Sequence, residues 1–147
     1  MSIFANIVSL YKSQDLNKQK LQMQTSRLID MSYYKPITNK PLIVHIWATW
    51  CPVCKAEADN IQRLSEHYEV ITIAVNSGTD SEIKNYLEEN HLNYRVINDQ
   101  GGTIAQKFNI AVYPTTFIYD AEKNLVFSEV GYTSSFGLLM RMWWVSL

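Results

Sequence analysis

Trp47-Ala48-Thr49-Trp50-Cys51-Pro52-Val53-Cys54-Lys55 decides how this chain is read. It holds the only two cysteines, with two residues between them. An apolar run, Leu42-Ile43-Val44-His45-Ile46-Trp47, leads in, and a helix-patterned run over 53–67 leads out. A strand that turns into a helix at Cys-x-x-Cys presents its first sulfur at the helix N-terminus. Free backbone N–H groups and the helix dipole favour thiolate over thiol there. The thiolate is the nucleophile of disulfide exchange, and the second cysteine is near enough to resolve a mixed disulfide. The spacing therefore reads as a reversible redox pair. Two alternatives compete with it. A structural zinc site normally takes four protein ligands. The chain has no third cysteine, and His45, His67 and His91 are scattered, so no metal site is expected. An inert structural disulfide would close a loop too small to stabilise a fold much.

The elements follow outward from this stretch. Residues 42–47 are almost wholly apolar, as in a strand covered on both faces of its sheet. The helix over 53–67 sets Ala58, Ile61, Leu64 and Tyr68 along one side. Residues 70–75 read as a second buried strand, broken by Asn76-Ser77-Gly78. Asp80 or Ser81 is placed to cap the next helix, whose inner stripe is Ile83, Tyr86 and Leu87. Tyr94-Arg95-Val96-Ile97 is a short extended piece before a turn over 98–102, and Thr103 is placed to cap a short helix through Phe108. Residues 116–119 and 125–130 flank a polar turn as a hairpin. A last helix over about 134–145 puts Phe136, Leu139, Met140, Trp143 and Trp144 on one stripe, expected in the core rather than at a partner surface. Upstream, Arg27-Leu28-Ile29 reads as an edge strand and Asp30-Met31-Ser32 as a turn. The order β-α-β-α, hairpin, α implies an α/β fold with a mixed sheet between helix layers.

At 147 residues and 47% hydrophobic, the chain can bury one substantial core. A net charge of -1 gives no footprint for nucleic acid or an anionic membrane surface. No run approaches the roughly 20 apolar residues of a membrane-spanning helix. Residues 1–25 read as an N-terminal helix or polar tether, and 26–147 as the folded domain. The start lacks the basic segment and small-residue cleavage site of a signal peptide. An amphipathic helix and the remnant of a membrane anchor both fit it. Two cysteines do not fix the redox compartment.

Trp50-Cys51-Pro52-Val53-Cys54 after a buried strand, with Val112-Tyr113-Pro114-Thr115-Thr116 just before a hairpin strand, resembles the thioredoxin-fold protein disulfide oxidoreductases over about 28–145. Glu57, three residues past Cys54, resembles the acidic residue of their TlpA/DsbE-like periplasmic branch. The ending Gly131-Tyr132-Thr133-Ser134-Ser135-Phe136-Gly137, then Leu138-Leu139-Met140-Arg141-Met142-Trp143-Trp144, resembles more closely the ScsD-like (suppressor of copper sensitivity) group. Those are bacterial membrane-anchored oxidoreductases linked to copper tolerance.

The resemblance implies a thioredoxin fold and a set of roles. Cys51 would be the exposed attacking thiolate and Cys54 the buried resolving thiol. Pro114 would be a cis-proline beside the disulfide, Tyr113 would pair its backbone with an extended substrate, and Trp50 would flank the site. Glu57 could accept a proton during exchange, or be a solvated helix residue. His45 stands where thioredoxins carry a buried acidic residue. A neutral imidazole there could relay protons, a charged one would favour the Cys51 thiolate, and a plain core role is the alternative. Asp59 stands where relatives often carry a kinking proline, so a straighter helix is expected. No cofactor is implied beyond the Cys51–Cys54 redox disulfide. The implied partners are protein or peptide thiols and disulfides, with a membrane redox partner of the DsbD kind. The implied setting is a monomer in the periplasm, tethered to the inner membrane. Pro52-Val53 offers the thiolate no side-chain hydrogen bond, so a moderate to reducing potential is expected. Two other readings stand beside this one. A copper(I)-binding module could use the same cysteines, because soft thiolates suit that ion. A redox-inactive adaptor could use the aromatic last helix.

Overall fold

The run Leu42–Trp47 becomes the central strand of the molecule because all six of its residues are buried. The computed structural model describes residues 25–131, 137 and 142–144. Its strands are β1 (Ser26–Arg27), β2 (Tyr33–Tyr34), β3 (Leu42–Trp47), β4 (Glu69–Val75), β5 (Arg95–Asp99), β6 (Thr115–Tyr119) and β7 (Leu125–Val130). Its helices are α1 (Pro52–His67), α2 (Asp80–Glu89) and α3 (Thr103–Lys107). The main sheet runs β5-β4-β3-β6-β7, parallel from β5 to β3 and antiparallel from β3 to β7. This is the mixed α/β sheet of a thioredoxin fold. Of the expected N-terminal segment over 1–25, residues 1–24 lie outside the described residues.

Period-two alternation sorts the side chains of the sheet into two cores. One face carries Ile43, Trp47, Val70, Ala74 and Ile118, covered by Ala58, Ile61 and Leu64 of α1 and by Ile83 and Leu87 of α2. Both cysteines belong to this core. The other face carries Leu42, Val44, Ile46, Ile71, Ile73 and Phe117 against Ala105 of α3 and Tyr34 of β2. Each fully buried Ile or Leu contributes roughly 1.5–3 kcal/mol, so the two cores hold the sheet from both sides.

Several local expectations are corrected. The cap of α2 is Thr79, not Asp80 or Ser81. Its hydroxyl accepts the Glu82 N–H, and the Glu82 carboxylate accepts the Thr79 N–H. The cap of α3 is Gly102, not Thr103, because φ there is +75°, a conformation glycine adopts freely. The free N–H groups of Ile104 and Ala105 go to the Asp99 carboxylate instead. The edge strand expected at 27–29 is Ser26–Arg27, paired with Tyr33–Tyr34 across the turn at Asp30. The largest correction concerns the last helix. Gly137 and Met142–Trp144 are helical, but Met142 is buried while Trp143 and Trp144 are 60% and 65% exposed. At 142–144 the inward residue is therefore Met142, not the two tryptophans read inward from sequence. Phe136, Leu139 and Met140 lie outside the described residues.

A polar row crosses the sheet inside the first core. Thr72 on β4 pairs with His45 on β3, His45 with Thr116 on β6, and Thr116 with Glu129 on β7, all four buried. His45 Nδ1 lies 2.9 Å from Thr116 Oγ1, and the Thr72 hydroxyl donates to the Arg95 carbonyl. Burial pushes the His45 imidazole down from 6.5 to about 3. Burial therefore favours the neutral imidazole over the charged one considered above.

Two consequences are measurable. Thr79→Ala should lower stability by about 1 kcal/mol, read as a shift in the urea midpoint with unchanged slope. The unfolded chain's imidazole takes a proton near pH 6.5, which the folded one refuses down to about 3. Stability is therefore intact above the higher value and falls as pH drops between the two, by about 1.4 kcal/mol per unit at the steepest. His45→Gln should flatten that decline in urea titrations at neutral and acid pH, and an unchanged decline would refute the assignment.

Candidate active site

Helix α1 begins on a sulfur. Cys51 is its N-cap in an extended conformation, φ −101° and ψ 111°, and the Cys54 N–H donates to Cys51 Sγ at 3.2 Å. Pro52 takes the first helical position, where a missing N–H costs nothing and its fixed φ suits the helix. Both cysteines are free thiols. Cys51 was expected to be exposed, yet it is only 7% so. Its sulfur folds back over the first turn to cap it, and its neighbours Trp50 and Val53 carry the exposed surface. Cys54 lies deeper, at 3%. Burial, then its hydrogen bond with Cys51, pushes its thiol far above the usual range, and charge on Cys51 and Glu57 adds to this.

The loop that delivers Cys51 is tied down on one side. The Thr49 N–H donates to Ser77 Oγ and the Trp50 indole N–H to the Asn76 carbonyl, each at 3.0 Å. Ser77 Oγ in turn donates to the Val75 carbonyl, and the Asn76 N–H donates to the Asp99 carbonyl. The ends of β3, β4 and β5 are thus stitched together beneath the cysteines. On the other side, Tyr113 meets Trp50 edge-on with ring centroids 5.3 Å apart. Tyr113 packs against the core that holds both cysteines, and burial, then charge on Asp99 and Cys54, raises its hydroxyl. The Tyr113–Pro114 peptide bond is cis, and the Pro114 carbonyl accepts the Gly131 N–H at 2.7 Å.

Glu57 is fully buried on the inner side of α1, one turn from Cys54. That excludes the solvated helix residue considered above. His45 lies further down β3 on the same face of the sheet as both cysteines and hydrogen-bonds Thr116. Cys51, Cys54, Glu57, Trp50 and Tyr113 therefore surround one site, and His45 lies in the core behind it. Sequence reading missed Ser77 and Thr116, whose signal is strand register rather than any local motif. It also took Tyr86 only as a core residue, although burial, then charge on Cys54 and Cys51, raises its hydroxyl.

Known proteins resemble this chain in sequence and in fold. A thioredoxin-like protein of Haemophilus influenzae is 34% identical over 106 residues, covering 71% of this chain and 62% of the relative. The thiol-disulfide oxidoreductase ResA of Oceanobacillus iheyensis is 29% identical over 101 residues, covering 64% and 52%. The chain thus spans just over half to about three-fifths of the length of these curated relatives. Among solved structures, a thiol:disulfide interchange protein of the thioredoxin family from Chlorobium tepidum superposes with a TM-score of 0.78 at 22% identity, covering 88% and 97%. That likeness shows the shared fold. A family model described as AhpC/TSA matches residues 12–128, and the chain belongs to that thioredoxin-like family.

Proposed function

We propose that this chain is a thiol–disulfide oxidoreductase that exchanges disulfides with extracytoplasmic protein substrates through Cys51 and Cys54. What supports the reading is two free thiols at the start of α1, one capping the helix and one deeper, with Trp50 next to Cys51 meeting Tyr113 edge-on and a cis bond joining Tyr113 to Pro114. In the reducing direction, the Cys51 thiolate attacks a substrate disulfide and expels one substrate thiolate. Cys54 then loses its proton, attacks Cys51 Sγ, and releases the second substrate thiol. Two electrons pass to the substrate, and the enzyme is left as a Cys51–Cys54 disulfide.

The other side chains take roles that fit their positions. Glu57, buried one turn from Cys54, accepts the proton that Cys54 gives up. Neutral His45, bonded to Thr116, offers a relay behind it. Trp50 and Tyr113 form the aromatic rim on which an extended substrate segment lies, next to Pro114. The resemblance in the last helix supports the ScsD-like subgroup and, with it, a periplasmic setting, a tether to the inner membrane and a membrane redox partner of the DsbD kind.

Cys54→Ala should accumulate mixed disulfides with client proteins, visible as thiol-sensitive bands on non-reducing gels, and Cys51→Ala should accumulate none. Equal capture by both variants would refute the assignment of Cys51 as attacker. Tight copper(I) binding by the reduced protein, without any mixed disulfide, would favour the copper module instead. The apolar Pro52-Val53 pair predicts a moderate to reducing potential in a titration against glutathione or dithiothreitol. A value near the strong-oxidant level of about −120 mV would overturn that expectation.

A further inference from the structure

A side chain from a distant loop holds the turn that carries Cys51. The Ser77 hydroxyl, 7% exposed, accepts the Thr49 N–H at 3.0 Å and donates to the Val75 carbonyl at 3.0 Å. Its one proton is thereby committed, and the main chain at the end of β4 fixes where its oxygen stands. From Thr49 the restraint reaches the sulfur within two residues. The Cys51 N–H donates to the Ala48 carbonyl at 3.3 Å, which closes a turn around Thr49 and Trp50. Cys51 Sγ then accepts the Cys54 N–H at 3.2 Å. A second bond, from the Trp50 indole to the Asn76 carbonyl, holds the same turn. It is made by an exposed ring, where water can take the carbonyl's place, and it uses only the main chain of Asn76. Water has little access to Ser77, so its bond is the harder one to replace.

We propose that Ser77 is a positioning residue for disulfide exchange: its hydroxyl keeps the 48–51 turn in the form that seats Cys51 Sγ on the Cys54 N–H, and so sets how fast that sulfur attacks. The proposal rests on the exchange reading above and adds a residue to its first step. In that step an electron pair of the Cys51 thiolate forms a bond to one sulfur of a disulfide. The bond between the two disulfide sulfurs breaks, and the second sulfur leaves as a thiolate. Ser77 exchanges no proton or electron and acts only through Thr49. Two effects follow from the seat it maintains. A donor on the sulfur favours its charged, nucleophilic form. A fixed sulfur also meets the incoming disulfide in one orientation, and rates fall steeply when a reacting atom is misplaced. Without the hydroxyl, the Thr49 N–H loses its partner, and the turn is free to swing the sulfur off the helix start.

With Cys54→Ala in the background, Cys51 is the one thiol left in the chain, and the main-chain N–H of residue 54 is retained. Its attack on dithionitrobenzoic acid is followed by the visible absorbance of the released thionitrobenzoate, clear of every tyrosine. Ser77→Ala should slow that attack about fivefold at neutral pH, the scale of one hydrogen bond. Ser77→Thr keeps a hydroxyl and should keep the parent rate. Tyr34→Phe removes another buried hydroxyl, bonded to Glu69 at the opposite end of β4, and should keep it too. In unfolding concentrations of urea all four proteins should react alike, which places the difference in the folded turn. An unchanged or faster attack in Ser77→Ala would overturn the proposal. So would an equal loss in Ser77→Thr or Tyr34→Phe, or a difference that persists in urea. If the parent Cys54→Ala protein forms no mixed disulfide, the exchange reading falls. If it forms one at a rate that ignores the Ser77 hydroxyl, the Ser77 proposal falls alone.

Discussion

The Cys54 N–H donating to Cys51 Sγ is the contact on which the site depends. A helix start leaves its first N–H groups without partners, and a side-chain oxygen usually takes one of them. Here a sulfur does so, and this fixes the sulfur over the first turn. The arrangement requires that the chain reach Cys51 extended, as φ and ψ there show. It also requires that the second residue of the pair face inward, so that one thiol lies at the mouth of the helix and the other below it. Pro52 serves both demands, because its ring fixes the turn into the helix and its nitrogen has no hydrogen to leave unbonded.

The topology explains why Tyr113 and Pro114 come to the same place. Strand β6 runs antiparallel to β3, with Thr115 opposite Ile46. The beginning of β6 therefore lies beside the end of β3, and the residues just before Thr115 fall level with the loop that follows Trp47. Parallel β4 and β5 bring Asn76, Ser77 and Asp99 to that edge from the other side. The hydrogen bonds from Thr49 and Trp50 to Ser77 and Asn76 then hold the loop rigidly against the sheet. Ligand sites in open α/β sheets form at the carboxyl ends of the strands for this reason, since loops from several strands converge there. One reversal of direction at β6 adds a contributor from far along the chain.

Much of this was legible in the sequence, and the exceptions share a cause. The apolar runs at 42–47 and 70–75, the helical spacing of Ala58, Ile61 and Leu64, and the hairpin at 116–130 each express a period imposed by local geometry. What failed depends on partners distant in sequence or on a single dihedral angle. Thr79 and Gly102 displaced better-looking neighbours as caps because backbone conformation chose the boundary. Trp143 and Trp144 were assigned inward because large aromatic residues usually bury, yet Met142 took that place. The burial of Glu57 followed from helical phase, since it shares a face with Cys54, Ala58 and Ile61. A charged residue reads as solvent-facing only until its register is counted.

The two sulfurs are unequal by construction, and that inequality would order the proposed exchange. Cys54 pays for its depth: burial opposes its charge, and the hydrogen bond and nearby charges on Cys51 and Glu57 oppose it further. It is therefore a poor first nucleophile in the free protein. Once Cys51 is engaged in a mixed disulfide, its own charge is gone and one of those obstacles is removed. In the proposed exchange that event puts a sulfur–sulfur bond at Cys51, whose Sγ lies 3.2 Å from the Cys54 backbone nitrogen. Resolution then needs only the short path already set by the first turn of α1, with no movement of the sheet beneath. For the proposed exchange, a core that opposes charge on one thiol more than on its neighbour supplies a direction from attack to release, using only burial and the geometry of a helix start.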